Sequence, residues 1–260
     1  MKILITGANG YIGKTLVNKL KEDHEIVPLT RDIVDLTNSN QVNSFFQQKR
    51  GSGKLFDWII HTATKGGSRL LNEDCSILFD NLKMHYNLLR NRNLYGRFIS
   101  FGSGAEILAQ NTPYGFSKMA IADSMMEKSG HYNIRIYGLF DENELPTRFI
   151  KGNITRYINK EPMQIYENKI MDFFFMEDLI SLVKYYLNNN NLPKEIDCSY
   201  KEKYYLKDIA EIINNLSDYK VSISSCNNNS INYTGKFNLP IPYLGLEHGI
   251  RSVYNILSKL

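Results

Sequence analysis

Cysteine is scarce in this sequence, which has three among its 260 residues, at positions 75, 198 and 226. An odd number of widely spaced cysteines excludes a disulfide framework and a cysteine-rich metal site. The pattern is typical of reduced thiols and predicts a cytoplasmic protein. The five histidines are scattered, and none lies at ligand spacing from a cysteine or another histidine, so no bound metal is predicted.

Long apolar runs are lacking as well. No run reaches the roughly 18 residues that a membrane-spanning helix needs, and glycines interrupt the N-terminal stretch where a signal peptide would stay apolar. We therefore expect no membrane segment. Tryptophan occurs once, and the net charge of +4 is spread over interspersed lysines and acids, so no nucleic-acid surface is predicted.

The sequence does contain a regular alternation of strand-length apolar runs and segments of helical periodicity. This alternation predicts an α/β fold, with a doubly wound parallel Rossmann sheet. We assign residues 1–145 to this core and expect residues 170–200 to rejoin it. Residues 146–169 and 201–260 mix helical stretches with short strands, which predicts a small mixed α/β C-terminal lobe.

A glycine-rich turn lies between the first predicted strand and the first predicted helix. Gly7 would permit a tight turn, Gly10 would let the backbone approach a pyrophosphate, and Gly13 would let helix and strand pack closely. The free N–H groups of the helix N-terminus favour phosphate. The alternative is a purely structural turn. The context favours a dinucleotide-binding site, with further contacts from Asn9, Tyr11 and Ile12.

The end of the second predicted strand bears on the choice of dinucleotide. An acid there would bind the ribose 2′-hydroxyl of NAD, whereas this chain has Thr30 followed by Arg31. A guanidinium suits a 2′-phosphate through charge-assisted hydrogen bonds. The alternative is a solvated arginine, with Asp32 performing the role of the acid. We expect NADP(H), with NAD(H) as the second choice.

A candidate proton-transfer pair opens the long helix after Pro113. Tyr114 and Lys118 are four residues apart and share one helix face. An ammonium near a phenol lowers the phenol pKa from about 10, so the pair can exchange a proton. Ser103 follows the fourth predicted strand, at the sheet edge where ligands bind, and could hydrogen-bond a reacting oxygen. The alternatives are a surface pair and a serine that holds a turn.

The glycine turn, Ser103 and the Tyr114/Lys118 pair, in this order, resemble the extended short-chain dehydrogenases/reductases. That family includes nucleotide-sugar epimerases, dehydratases and 4-keto reductases. The segment from Leu29 to Phe46 is most similar to GDP-fucose synthase-like reductases. The resemblance also implies cofactor contacts along the chain, from Asp35, Leu36, Thr62, Ala63, Thr64, Asn81, Tyr114 and Lys118.

The resemblance implies NADPH-dependent reduction of a 4-keto deoxysugar carried on a nucleoside diphosphate, as in surface-glycan synthesis. Tyr114 would donate the proton, Lys118 would lower the Tyr114 pKa, and Ser103 would polarise the carbonyl. The C-terminal lobe would bind the substrate, and a homodimer would form through helices 76–91 and 114–128, unless their apolar surface belongs to the core. The substrate contacts implied are Lys65, Ser103, Gly104, Arg148 and Lys151.

Two other functions stay open: an NAD-dependent 4-epimerase that keeps its cofactor, and a non-catalytic NADP-binding module. Three departures from the family pattern also bear on the substrate site. The stretch from Ser103 to Tyr114 is short, residues 138–141 replace the usual Asn-x-Tyr-Gly, and Met171 stands where an arginine usually precedes Asp-Phe.

Overall fold

A computed structural model describes residues 1–48, 53–67, 73–225 and 231–259, so Cys226 lies outside the described residues. The first half of the chain alternates strands and helices, as the sequence predicts. A 3-10 helix spans Arg92–Leu94. The other elements here are β1 (Lys2–Thr6), α1 (Tyr11–Leu20), β2 (Glu25–Leu29), α2 (Ser39–Gln48), β3 (Phe56–His61), α3 (Cys75–Leu89), β4 (Tyr95–Ser103), α4 (Ala105–Leu108), α5 (Pro113–Met126) and β5 (His131–Ile136).

The second half of the chain has shorter strands between helices. Its elements are β6 (Leu139–Phe140), α6 (Phe149–Ile158), β7 (Met163–Ile165), β8 (Phe174–Phe175), α7 (Met176–Asn188), β9 (Glu195–Cys198), α8 (Leu206–Asn214), β10 (Ile223–Ser225) and α9 (Leu246–Leu257). Within the described ranges, no helix is long and apolar enough to cross a membrane.

The main sheet has six strands in the order β2-β1-β3-β4-β5-β9, and the pairs β1–β2, β1–β3 and β3–β4 are parallel. This confirms the predicted α/β Rossmann-like fold. Strand order reverses between β1 and β3, which opens a crevice at their carboxyl ends, where ligands bind in such sheets. The residues that follow are Gly7 after β1 and Thr62 after β3.

The chain forms two compact units. The first comprises Met1–Arg135 and Asn191–Ile196. Its core packs apolar side chains of the strands against helices α2, α3 and α5, and Phe46, Phe56, Leu88 and Phe98 are essentially inaccessible to solvent. Burial of this kind is the main stabilising contribution to such a fold.

The second unit comprises Ile136–Asn190 and Asp197–Leu260. Here β6 pairs with β8 in parallel, and β7 pairs with β10. The β6–β8 pairing, supported by a ring contact of 5.6 Å between the centroids of Phe140 and Phe175, places residues 139–140 in this unit. The boundary predicted from the sequence lies later, after residue 145.

Candidate active site

The glycine turn is packed too tightly for side chains at two of its three glycines. Gly7 has a φ of +65°, and a Cβ there would lie 2.7 Å from the backbone nitrogen of Ala63. A Cβ at Gly13 would lie 2.2 Å from the carbonyl oxygen of Gly7. Both distances are far below contact, so the approach of α1 to β1 and β3 requires glycine at both positions.

Gly10 is different. Among the described residues, the one atom within 4 Å of a Cβ at Gly10 would be the Gly7 carbonyl oxygen, at 3.2 Å. Its φ of −76° is open to any residue. The chain itself therefore has little need of glycine here, and the bare backbone at the start of α1 is available to a ligand. This fits a pyrophosphate at a helix N-terminus.

A cavity of about 470 Å³ opens beside this turn, within the first unit. Residues from the ends of β1, β2 and β3 line it, as expected for a dinucleotide crevice. Lys65 and Met84 contribute as well. The predicted cofactor contacts that line the cavity are Gly7, Asn9, Gly10, Tyr11, Ile12, Thr30, Arg31, Asp35, Leu36, Thr62, Ala63 and Thr64.

Arg31 and Asp32 both line the cavity after β2, and both are exposed. Asp35 lies further along the same wall, where its Oδ1 accepts hydrogen bonds from the backbone nitrogen of Thr37 at 3.0 Å and from the Thr37 hydroxyl at 2.8 Å. The Thr37 hydrogen bonds lower the pKa of Asp35. The Asp35 carboxylate therefore stabilises the turn that forms this wall.

Asn81 anchors the main chain of Lys65, which lines the cavity after β3. Its Oδ1 accepts from the Lys65 backbone nitrogen at 2.8 Å, and its Nδ2 donates to the Lys65 carbonyl at 3.0 Å and to Ser117 Oγ at 3.0 Å. Asn81 is buried and, among the described residues, lies outside the cavity lining. It thus fixes the main chain that contacts the cofactor site and links it to α5. The Lys65 ammonium forms an ion pair with Asp80.

The predicted proton-transfer pair lies at the start of α5. Thr112 caps this helix by accepting a hydrogen bond from the Gly115 nitrogen at 3.0 Å. The Lys118 Nζ lies 5.6 Å from the centre of the Tyr114 ring. The same Nζ donates to the Phe101 carbonyl at 2.8 Å, which places it beside the end of β4. Burial lowers the pKa of Lys118 to about 8, and the charge of Glu106 opposes this shift.

Ser103 ends β4 and is buried. Its hydroxyl oxygen accepts from the Ala105 nitrogen at 3.2 Å, and Gly104 follows it as the N-cap of α4. The short stretch between Ser103 and Tyr114 folds as α4 and a turn. A Cβ at Gly115 would lie 2.0 Å from the carbonyl oxygen of Ala109, so α4 packs directly on the first turn of α5.

Two acidic residues near the predicted catalytic pair were not identified from the sequence, Glu73 and Glu106. A Cβ at Gly67 would lie 2.9 Å from the hydroxyl-bearing Cζ of Tyr114, so the Gly67 backbone lies against the phenol. The carboxylate of Glu73 joins these parts, accepting from the Gly67 nitrogen at 2.6 Å and from the Tyr114 nitrogen at 3.3 Å. In the sequence, the adjacent glycines Gly66 and Gly67 are the feature that could have indicated this close approach of the backbone. Glu106 is buried and accepts a hydrogen bond from the Ser103 nitrogen. It belongs to no sequence motif that would have predicted this contact.

The predicted substrate contacts of the second unit lie around the start of α6. Arg148 is the exposed N-cap residue of this helix. The Lys151 ammonium donates to the carbonyls of Glu142 at 2.7 Å and of Glu144 at 2.9 Å. Glu144 is buried, and burial raises its pKa to about 8. The structure therefore leaves Arg148 accessible and ties Lys151 to its own unit.

Met171, where an arginine is usual, is buried. The neighbouring Asp172 accepts hydrogen bonds from the Lys203 ammonium at 2.8 and 2.7 Å, and from the Gly235 nitrogen at 2.8 Å. This segment therefore carries an internal ion pair. Across the described parts of the chain, no group of three or more His, Cys, Asp or Glu could hold a metal ion.

A crevice at the carboxyl ends of a parallel sheet and a Tyr–Lys pair on the helix beside the end of β4 are typical of an NAD(P)-dependent oxidoreductase. The model of the NAD dependent epimerase/dehydratase family matches residues 3–198 of this chain. The chain belongs to that family. The resemblance inferred from the motifs, and the predicted enzyme class, are thereby confirmed.

Individual relatives are distant. GDP-L-colitose synthase of Yersinia pseudotuberculosis is 23% identical, over 85% of this chain and 83% of that protein. A GDP-D-glycero-L-gluco-heptose synthase from Campylobacter jejuni, solved in the presence of NADPH, has a TM-score of 0.82 at 17% identity, covering 100% of this chain and 98% of that one. GDP-mannoheptose C4 reductase of Campylobacter jejuni, with NADP bound, has a TM-score of 0.80 at 16% identity, covering 98% of each chain.

Proposed function

We propose that this enzyme uses NADPH to reduce a 4-keto deoxysugar carried on a nucleoside diphosphate, for deoxysugar or surface-glycan synthesis. The observation that carries the proposal is the position of Tyr114 and Lys118. Lys118 is hydrogen-bonded to the end of β4, at the same sheet edge as the glycine turn. The names of the relatives, which include a GDP-sugar synthase and a C4 reductase, support this substrate class.

The glycine turn fits a dinucleotide because Gly10 leaves bare backbone at the start of α1. When bound, NADPH supplies the hydride that reduces the sugar carbon. The Tyr114 hydroxyl gives its proton to the carbonyl oxygen as negative charge develops there. The buried Lys118 ammonium favours ionisation of that phenol. The Ser103 hydroxyl orients and polarises the same oxygen.

The preference for NADP(H) rests on Arg31. Its exposed side chain lines the cavity after β2, where a guanidinium can bind a 2′-phosphate, and Thr30 before it is neutral. We expect calorimetry to show tighter binding of NADPH than of NADH, and Arg31→Ala to remove that difference. The preference of Arg31→Lys should lie between those of wild type and Arg31→Ala, because an ammonium keeps the charge but lacks the planar, bidentate geometry of a guanidinium.

Asp32 favours a second candidate, an NAD-dependent 4-epimerase. Its carboxylate also lines the cavity, where it could bind a ribose 2′-hydroxyl. An epimerase returns the hydride to its substrate, so it needs no exchange of cofactor. Purified protein that already carries tightly held NAD(H) and interconverts two nucleotide sugars without net NADPH oxidation would favour this candidate.

For the substrate, we propose contacts from Lys65, Ser103 and Gly104 of the first unit. We propose that residues 146–169 and 201–260, which belong to the second unit, form the substrate lobe, and that Arg148 and Lys151 bind the diphosphate there. Arg148 is accessible, whereas Lys151 would have to exchange its carbonyl partners for phosphate oxygens. Arg148→Ala should therefore raise KM for the nucleotide sugar more than Lys151→Ala does.

We also propose that the protein is a cytoplasmic homodimer, formed through α3 and α5. Both helices expose large apolar side chains: Phe79 and Tyr86 on α3, and Phe116 and Met126 on α5, each at least 44% exposed. Phe79 and Tyr86 are seven residues apart, so they lie on one face of α3. Exposed apolar patches of this kind mark protein interfaces.

The decisive experiment is NADPH oxidation with a panel of nucleoside-diphosphate 4-keto-6-deoxysugars, using wild type and Tyr114→Phe. We expect turnover by wild type and a loss of about 10²- to 10⁴-fold in kcat for the variant, because it lacks the proton donor. NADPH binding should survive in the variant. If wild type binds NADPH but no panel member is reduced, the reductase proposal fails. The 4-epimerase and a non-catalytic NADP-binding module are then the remaining candidates, and interconversion of two nucleotide sugars distinguishes them.

A further inference from the structure

Glu106 is a buried acid at the centre of the first unit, with 3% of its surface exposed. Its Oε2 accepts from the Ser103 backbone nitrogen at 3.2 Å. Its Oε1 accepts from Asn133 Nδ2 at 2.8 Å and from the guanidinium of Arg135. A buried carboxylate needs such partners to offset its loss of hydration. One of these partners is the backbone of the residue predicted to polarise the substrate.

The end of β4 is held from two sides. Lys118 donates to the carbonyl of Phe101, and Glu106 accepts from the nitrogen of Ser103. Gly102 lies between them, and a Cβ there would be 2.6 Å from Glu106 Oε2. The Glu106 carboxylate is thus packed directly on the strand end that connects Lys118 with Ser103.

Glu106 also affects the charge state of Lys118. Burial lowers the pKa of Lys118, and the charge of Glu106 raises it. Burial in turn raises the pKa of Glu106, and Arg135 opposes that shift. Arg135 divides its charge between two acids, since its Nη2 donates to Glu195 Oε1 at 3.1 Å.

The other titratable groups near Lys118 carry no negative charge to replace Glu106. His61 on β3 and His85 on α3 interact with the Lys118 charge, and burial lowers the pKa of both, so they are neutral. Tyr114 on α5 itself is a neutral phenol when it serves as a proton donor. Among the described residues, Glu106 is thus the acid whose charge acts on the Lys118 ammonium.

We infer that Glu106 is a positioning residue for proton transfer: its carboxylate holds the strand end that joins Ser103 to Lys118 and supplies a negative charge to the Tyr114–Lys118 pair. The inference rests on the proposed reduction. It assigns Glu106 a role that acts through other residues, because its carboxylate contacts the Ser103 backbone rather than the cavity lining.

The test is the pH profile of kcat for Glu106→Gln. Reduction needs a protonated Tyr114 beside a cationic Lys118, so the rate falls on the alkaline side as the Tyr114–Lys118 pair loses its first proton. Glutamine keeps one of the two acceptor oxygens, replaces the other with a donor, and removes the negative charge. We expect the alkaline limb to move to lower pH by about 1 unit. Glu195→Gln is the matched control, since Glu195 shares Arg135 but makes no hydrogen bond to Ser103 among the described contacts; its profile should match wild type.

A second variant separates charge from contact. Glu106→Asp keeps the charge and shortens the side chain, so kcat should fall by about 10-fold while the alkaline limb stays in place. Both variants should bind NADPH within about 2-fold of wild type, which shows that they are folded. A Glu106→Gln profile that superimposes on wild type or falls equally at every pH would overturn the inference, as would an equal shift in Glu195→Gln.

Failure of the proposed function can be distinguished from failure of this inference. If wild type reduces no sugar of the panel, Tyr114 is titrated directly by the ultraviolet absorbance of its phenolate. The spectrum of each NADP⁺ complex is then subtracted from that of the same protein carrying Tyr114→Phe. The Tyr114 transition should move to higher pH in Glu106→Gln, because Lys118 then loses its charge more readily and no longer favours the phenolate. An unmoved transition would sink the inference without reference to turnover.

Discussion

Adding one methyl group to the glycine turn should mainly destabilise the fold at Gly13 and mainly weaken cofactor binding at Gly10. A Cβ at Gly13 would lie 2.2 Å from the Gly7 carbonyl and 2.7 Å from the Thr62 hydroxyl oxygen, so α1 must move away from β1 and β3. Overpacking of this kind costs about 1–3 kcal/mol. At Gly10 the nearest atom, the Gly7 carbonyl oxygen, would be 3.2 Å away, so Gly10→Ala should lower the free energy of unfolding by about 1 kcal/mol at most.

For Gly10→Ala, we expect a larger effect on the Kd for NADPH than on stability. The methyl group would stand where the pyrophosphate approaches the backbone, and a cost of about 1–3 kcal/mol corresponds to a 5- to 150-fold rise in Kd. The assay combines urea unfolding without ligand and calorimetry with NADPH. A Gly10→Ala protein that is as stable as wild type and binds NADPH equally well would refute the assignment of this turn as the phosphate site.

Three further predictions concern stability and assembly. Burial lowers the pKa of His85 to about 3, so the folded state excludes a proton that the unfolded chain takes up below about pH 6.5. The contribution of His85 to stability should therefore be full above that pH and fall by about 1.4 kcal/mol per unit towards pH 3; urea titrations of His85→Gln should show a shallower slope than wild type, whereas the exposed His248→Gln should not. Asn81→Leu leaves two Lys65 backbone groups without their partner, so we expect a loss of about 1–3 kcal/mol in urea unfolding and weaker NADPH binding; unchanged values would contradict its role. Phe79→Lys should convert a dimer to a monomer in analytical ultracentrifugation, and a wild type that is already monomeric would exclude the proposed interface.

Local signals sufficed for much of the fold and for most of the residues that line the cavity. The apolar alternation predicts these strands and helices because β1, β3, β4 and β5 are largely buried and helices such as α1 and α2 have one apolar face. Gly7, Gly10 and Gly13 are close together in the sequence, so their spacing alone predicts a shared turn. The same holds for Tyr114 and Lys118, which one helix turn brings together.

Contacts between distant segments could not be predicted in this way. Glu73 reaches Tyr114 across 41 positions, and Glu106 reaches Arg135 across 29. Nothing in the residue types near either acid marks such a partner. The difference between the predicted and the observed unit boundary has the same cause. β6 pairs with β8, and that pairing depends on residues 174–175 rather than on the sequence around 139–140.

The tight packing of Gly7, Gly13 and Thr62 also has a thermodynamic consequence. The Thr62 hydroxyl donates to the Thr6 carbonyl at 2.7 Å, which ties the carboxyl ends of β1 and β3 together with no help from a ligand. Contacts within the protein thus order this turn, so a dinucleotide bound there would spend little free energy on ordering it. The proposed reductase would gain from this, because neither release of an oxidised cofactor nor uptake of a reduced one would have to fold or unfold the turn.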